Sequence, residues 1–122
     1  MKPDDADVAR HTPVSEPVFH ILLALIDEPR HGYGILAEVD RRTGGRVRLG
    51  IGTLYSAIKR LRERSLIREV ETPEGAPDDP RRRYYRLTET GRGVAAAEAR
   101  RLEAMVRQAR AKAVLPAPDP TA

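Results

Sequence analysis

Ten prolines divide this chain of 122 residues, at positions 3, 13, 17, 29, 73, 77, 80, 116, 118 and 120. Proline lacks the backbone donor and clashes with the preceding helical turn. Regular structure is therefore expected in the two proline-free stretches, residues 30–72 and 81–115. Residues 1–13 and 116–122 read as disordered tails.

Apolar spacing divides the chain before the hairpin into helices. Ser15 can cap a helix in which Glu16 and Pro17 suit the first turn. Val18, Ile21, Leu22, Leu25 and Ile26 follow at helical intervals, and Pro29 marks its end. Residues 31–43 read as a second helix, with Ile35, Leu36 and Val39 on one side and Gly44-Gly45 as its stop. Its opening, His31-Gly32-Tyr33-Gly34, is unusual, because two glycines weaken a helix start by up to about 1 kcal/mol each.

A third helix is expected over residues 52–64. At 100° per residue, Leu54, Ile58 and Leu61 form a narrow stripe with Ala57 beside it. Ser56, Lys59, Arg60 and Glu63 stand opposite, flanked by Thr53 and Tyr55. A helix with an aliphatic back and a front of hydroxyls and cations suits a core on one side and a DNA major groove on the other. An ordinary solvent-facing helix more often interleaves Lys with Glu at i,i+4.

Residues 66–72 (LIREVET) and 81–87 (RRRYYRL) read as two strands joined by PEGAPDDP, a run of turn-forming residues. Strand alternation expects one of Tyr84 and Tyr85 to face the core and the other solvent. Thr88 can cap a final helix reaching about residue 114. That helix is longer than a core of this size can cover, so its outer part is expected to pack on another chain or to be only partly ordered. Three helices, a hairpin and a further helix are the order of a winged helix-turn-helix. The fold class expected is mainly α with a small β-hairpin, a winged helix-turn-helix with a long C-terminal helix. Residues 14–88 would be the DNA-binding domain and 89–115 a dimerisation helix.

Charge adds a direction. The net charge is only +4. Residues 46–68 hold seven basic residues and one acid, a net +6, whereas residues 16–45 are −2 and residues 69–86 are −1. A cationic block on one helix and its flanks points to a polyanion. The absence of cysteine excludes a disulfide framework, a Cys-ligated metal and a thiol nucleophile. The three histidines are scattered, so no metal site or cofactor is expected. The serines lack a nucleophile-elbow context, so neither is an enzyme. The longest apolar run, residues 21–26, is far short of a membrane span, and the N-terminus has no apolar signal core. The expectation is an intracellular protein without a membrane partner.

Five motifs stand in order: His31-Gly32-Tyr33-Gly34-Ile35, Gly52-Thr53-Leu54-Tyr55, Lys59-Arg60-Leu61, Leu66-Ile67, and Arg83-Tyr84-Tyr85-Arg86-Leu87-Thr88-Glu89-Thr90-Gly91. Together they resemble the PadR family of bacterial transcriptional regulators, over roughly residues 17–93. The single helix after the wing looks like the short subfamily. The resemblance implies a cytoplasmic, nucleoid-associated homodimer that represses transcription from an inverted-repeat operator in double-stranded DNA. Its first and last helices would build the dimer, and many family members respond to a small hydrophobic effector. The chain departs from the family pattern at Gly50-Ile51, where Ser-Pro is common, at Ser56 for Pro, and at Ser65 for Gly. Its last helix carries no aromatic residue that could stack a planar ligand between subunits.

The DNA contacts expected are Thr53, Tyr55, Ser56, Lys59 and Arg60 from the third helix, and Arg81, Arg82 and Arg83 from the wing. Tyr55 has a second reading, packing sideways at the core edge. The three wing arginines could instead balance Asp78 and Asp79. Arg62 and Arg64 are either solvated or paired with Glu63. His31 and Tyr33 are expected to be structural. An effector pocket, if present, would lie near Phe19, Leu22, Leu102 and Met105. The rival reading is a winged-helix module docking its third helix on an acidic protein. That use calls for aromatic anchors, and only Tyr55 qualifies.

Overall fold

The computed structural model describes residues 4–120. It corrects the expectation of a structureless N-terminal tail. The Asp4 carboxylate accepts a hydrogen bond from the Asp7 backbone N–H at 2.7 Å and opens a short helix, α1 (Asp5–Ala9). Acidic Asp5 and Asp7 in its first turn suit the helix dipole. Val8 packs against the core, which supplies the burial that so short a helix needs. Residues 1–3, part of the same expected tail, lie outside the described residues, as do 121 and 122 of the C-terminal one. Residues 116–120 form no helix or strand.

Ser15 caps α2 (Glu16–Ala24) through the Val18 N–H at 3.3 Å, as its sequence position suggests. The helix ends five residues before Pro29, not at it. The Arg30 guanidinium reaches back and donates to the free Ala24 carbonyl at 2.7 Å. This early stop turns the chain into a two-residue strand, β1 (Arg30–His31). His31 then caps α3 (Gly32–Arg42), its Nδ1 accepting from the Gly34 N–H at 3.2 Å. α3 ends in a left-handed turn at Gly44, φ +61°, where the missing β-carbon makes that turn cheap. On α3, buried Glu38 is surrounded by cations: Arg41 bonds it, with Arg42 at 3.5 Å and Arg30 at 3.8 Å.

The next helix, α4 (Ile51–Glu63), has Gly50 as its N-cap and no side-chain cap. Its C-terminus closes with paired bonds from Leu66 N–H to Leu61 carbonyl and from Ser65 N–H to Arg62 carbonyl. That Schellman turn requires a left-handed residue, and Ser65 supplies it at φ +59°. The chain then forms β2 (Ile67–Val70) and β3 (Tyr84–Leu87). These pair antiparallel, and β1 adds to the other edge of β3, giving the order β1-β3-β2. The expected hairpin is thus a three-stranded sheet.

The added strand overturns the expectation for the two tyrosines. Tyr84 and Tyr85 are both buried, at 6% and 5% exposure. Tyr85 joins the hydrophobic cluster of Ile21, Leu25, Ile35, Leu54, Ile58 and their neighbours. Tyr84 faces the other way, where its cross-strand partner His31 packs edge-on at a ring separation of 5.2 Å. Alternation holds, but at Tyr84 the second face is covered by His31.

Thr88 caps α5 (Glu89–Ala111), its hydroxyl accepting from the Gly91 N–H at 3.0 Å and donating to the Ser65 carbonyl at 2.6 Å. At 1.5 Å per residue the helix is about 35 Å long. Its buried residues, Gly91, Val94, Ala95 and Glu98, all lie in the first half. Glu98 is 2% exposed, pairs with Arg101 at 2.5 Å, and accepts from the Val14 backbone N–H at 3.2 Å. That bond ties α5 to the segment entering α2. Among the described residues, no helix is long and apolar enough to cross a membrane.

Candidate nucleic-acid interface

The apolar back of α4 seats it firmly. Leu54, Ala57, Ile58 and Leu61 are at most 3% exposed. Each large aliphatic buried in this way contributes about 1.5–3 kcal/mol. The opposite face is thereby turned outward, and Thr53, Tyr55, Ser56, Lys59 and Arg60 are all exposed on it. The Lys59 and Arg60 side chains make no hydrogen bond or ion pair among the described residues. Their charge is available to an outside partner, whereas a cation already paired within the chain must first lose its acid.

Arg62 is different. Its guanidinium lies 5.9 Å above the Tyr85 ring and 3.8 Å from Glu69 of β2, so it braces α4 against the sheet. It does not pair with Glu63, and half of its side chain stays exposed to solvent.

The wing arginines are engaged within the chain. Asp79 receives Arg81 in a two-pronged contact at 3.2 and 3.3 Å, with Arg82 at 3.8 Å. Asp79 also accepts the Arg81 backbone N–H at 3.0 Å. The side-chain bond from Arg81 is the main cause holding the Asp79 carboxyl below its ordinary range and the Arg81 guanidinium above its own. Arg83 approaches Glu69 at 3.9 Å. Charge balance within the wing therefore involves Asp79 and Glu69, and the arginines remain at its surface, Arg82 the most covered.

Between the wing, α4 and the start of α3 lies a cavity of about 410 Å³. Arg81, Arg82 and Arg83 line one wall, and Tyr55 and Tyr85 another. His31, Gly32 and Tyr33 complete it. These last three are site residues that reading the sequence for structure alone misses. The signal was present in the two costly glycines of the helix start. A β-carbon on Gly32 would lie 2.6 Å from the Tyr55 hydroxyl, so Gly32 is where the Tyr55 side chain crosses α3. Tyr55 thus packs sideways on Gly32 and keeps 45% of its surface exposed. Tyr33 is 63% exposed. Burial, followed by the nearby Arg82 charge, depresses the His31 imidazole below its ordinary value, against the opposing pull of Asp79. The neutral ring keeps the Nδ1 lone pair that caps α3.

The four residues considered for an effector pocket are not equivalent. Leu22 is fully buried in the core, Phe19 and Leu102 are half-buried, and Met105 is 53% exposed and accepts from Arg101 at 3.3 Å. In the single chain Leu22 is a core residue.

A helical triad, a three-stranded wing and an outward basic helix define a winged helix-turn-helix protein. The chain belongs to the PadR-like family of transcriptional regulators, whose family model matches residues 21–97. It is 39% identical over 79 residues to an uncharacterised 37.1 kDa protein in transposon TN4556 of Streptomyces fradiae. That match covers 65% of this chain and 21% of the relative, so the chain spans about a fifth of that protein's length. It is similar to a transcriptional regulator from Clostridium thermocellum, at 25% identity and a TM-score of 0.66, over 80% of this chain and 96% of the other. Its fold is also that of Bacillus subtilis PadR solved with operator DNA, at 21% identity and a TM-score of 0.57, covering 70% of this chain and 47% of that one.

Proposed function

We propose that this PadR-like regulator is a homodimeric repressor that binds an inverted-repeat operator in double-stranded DNA. The observation that carries the reading is the free cationic pair Lys59–Arg60 on the exposed front of α4. A major groove accepts a helix, and lysine or arginine donates there to guanine O6 and N7. Thr53 and Ser56 supply hydroxyls to phosphates or bases. Tyr33, Tyr55 and the Arg81–Arg83 wall would hold the backbone between helix and wing. The operator complex of Bacillus subtilis PadR supports this reading.

Dimerisation through α5 is supported by Leu102, Met105 and Val106, apolar residues on a half-helix that buries none of its residues within the chain. An inverted repeat follows from a two-fold dimer. A small hydrophobic effector that relieves repression would bind where Phe19, Leu102 and Met105 meet the second subunit. A thermal-shift screen with lipophilic compounds tests that part. Stabilisation supports it, and no stabilisation by any compound removes it.

The decisive experiment is an anisotropy titration with a duplex that the protein selects from a randomised pool. Specific binding should exceed non-specific binding by at least about 10³-fold and weaken steeply with salt. Equal affinity for scrambled duplex would overturn the proposal. Binding to an acidic protein with no DNA selectivity would favour the docking-module reading instead.

A further inference from the structure

The wing has a second cationic face, turned away from α4. Arg68 of β2 and Arg86 of β3 are direct partners in the antiparallel register. Both side chains are exposed, and neither guanidinium makes an ion pair or hydrogen bond among the described residues. Like charges directly opposite each other on a sheet destabilise it. The third arginine of the sheet, Arg30, has found partners: it bonds the Ala24 carbonyl and lies within 4 Å of Asp27, Glu28 and Glu38. Arg68 and Arg86 instead line an open groove of about 680 Å³ with Pro29, Val70 and Pro73. Glu71 also lines it, as does Glu69, which is engaged by Arg62 and Arg83.

We propose that Arg68 and Arg86 form a phosphate clamp for DNA flanking the site read by α4. The inference rests on the DNA-binding reading and extends it. A hairpin lying over a minor groove only about 6 Å wide has a phosphate strand on each side. The α4-facing side carries Arg83, and the opposite side carries Arg68 and Arg86. Two adjacent guanidiniums match phosphate oxygens, to which arginine can donate in pairs. A bound phosphate would also relieve their mutual repulsion. The contact carries no base information, so it lengthens the footprint without changing the sequence read.

The test uses the full chain and two duplexes: the shortest site selected from a random pool, and the same site extended by a helical turn at each end. Wild type should bind the extended duplex more tightly. The double variant Arg68→Gln/Arg86→Gln should lose that gain, about two- to fivefold for each arginine, the range of an exposed ion pair. Its salt slope should fall by about 0.9 for each phosphate released, with affinity for the short duplex unchanged. Its melting temperature should rise, since a like-charge pair is gone. If that temperature falls, Arg68→Lys/Arg86→Lys decides, because it preserves charge and should keep the slope. A double variant that retains the extension's gain, or weakens equally on both duplexes, overturns the clamp. Should wild type select no duplex, the DNA reading fails and the clamp with it. Should Arg60→Ala weaken binding while the double variant keeps the gain, the clamp alone fails.

Discussion

Gly91 lies directly on the backbone of Leu66: a β-carbon at Gly91 would sit 2.0 Å from the Leu66 carbonyl oxygen. That oxygen accepts the Thr88 N–H at 3.1 Å. The start of α5 is therefore locked to the end of α4 at the base of the wing. Because the obstacle is backbone, Gly91→Ala must shift the helix or break the joint. Overpacking of this kind costs about 1–3 kcal/mol. Urea denaturation should show a loss in that range, and an unchanged midpoint would refute the locking role.

Ser65 bears the opposite kind of strain. It occupies the left-handed turn after α4, where its β-carbon is unfavourable and glycine is not. Its carbonyl, which accepts the Thr88 hydroxyl, is retained on substitution. Ser65→Gly should raise stability by about 0.5–1 kcal/mol, the excess of relieved strain over added chain entropy. A neutral or destabilising result in the same denaturation experiment counts against this account.

Acid should weaken the fold in two windows. His31 has its folded pKa below the ordinary 6.5, chiefly through burial, and so does His11. The unfolded chain therefore takes up these protons first, and stability falls as pH drops from about 6.5 through the lower folded values. Glu98 is held below its ordinary 4.5, first by Arg101 and also by the Val14 N–H, against the effect of burial. Its contribution is present above 4.5 and is lost as pH falls through the depressed value. His31→Asn preserves an N-cap acceptor and should flatten part of the upper window. Glu98→Gln should flatten the lower one. Melting curves between pH 3 and 8 separate them.

Lys59→Ala and Arg60→Ala should each weaken binding to the selected duplex by about 1–3 kcal/mol if they read bases. Both side chains are exposed and have no partner among the described residues, so the melting temperature should hardly move. A loss that is uniform across all DNA sequences would reassign them to phosphates.

A chain shortened in α5 must keep the residues that α5 lends to the core. Ending the chain at the start of α5 would remove Val94, Ala95 and Glu98, which belong to the core. Ending it after Arg101 retains the Glu98–Arg101 pair and removes only the part of α5 that has no fully buried residue. Sedimentation should find the full chain dimeric and the shortened chain folded but monomeric. A shortened chain that stays dimeric would place the interface elsewhere.

Much of the site was legible because α4 obeys a single period. One stripe of Leu54, Ile58 and Leu61 is enough to say which side faces out, and hence that Lys59 and Arg60 are presented. Caps at Ser15 and Thr88 were legible for the same local reason, since a hydroxyl at a helix start meets an N–H three residues on. The engagement of Arg81 and Arg82 by Asp79 was only half legible, because the turn sequence offers both Asp78 and Asp79. The tail helix was missed because α1 is too short to announce itself by periodicity and depends on Val8 finding the core.

Sequence by itself determined the helical order, the direction of the basic face and the family motifs, all of which rest on spacing along the chain. Tertiary structure decided what long-range contact controls. β1 reaches β3 across more than fifty residues and buries Tyr84 against His31. Gly32 admits the Tyr55 side chain, and Glu98 fastens the entry of α2 to α5. It also placed Arg68 opposite Arg86, a pairing set by strand register, which follows from how the hairpin sits on the core.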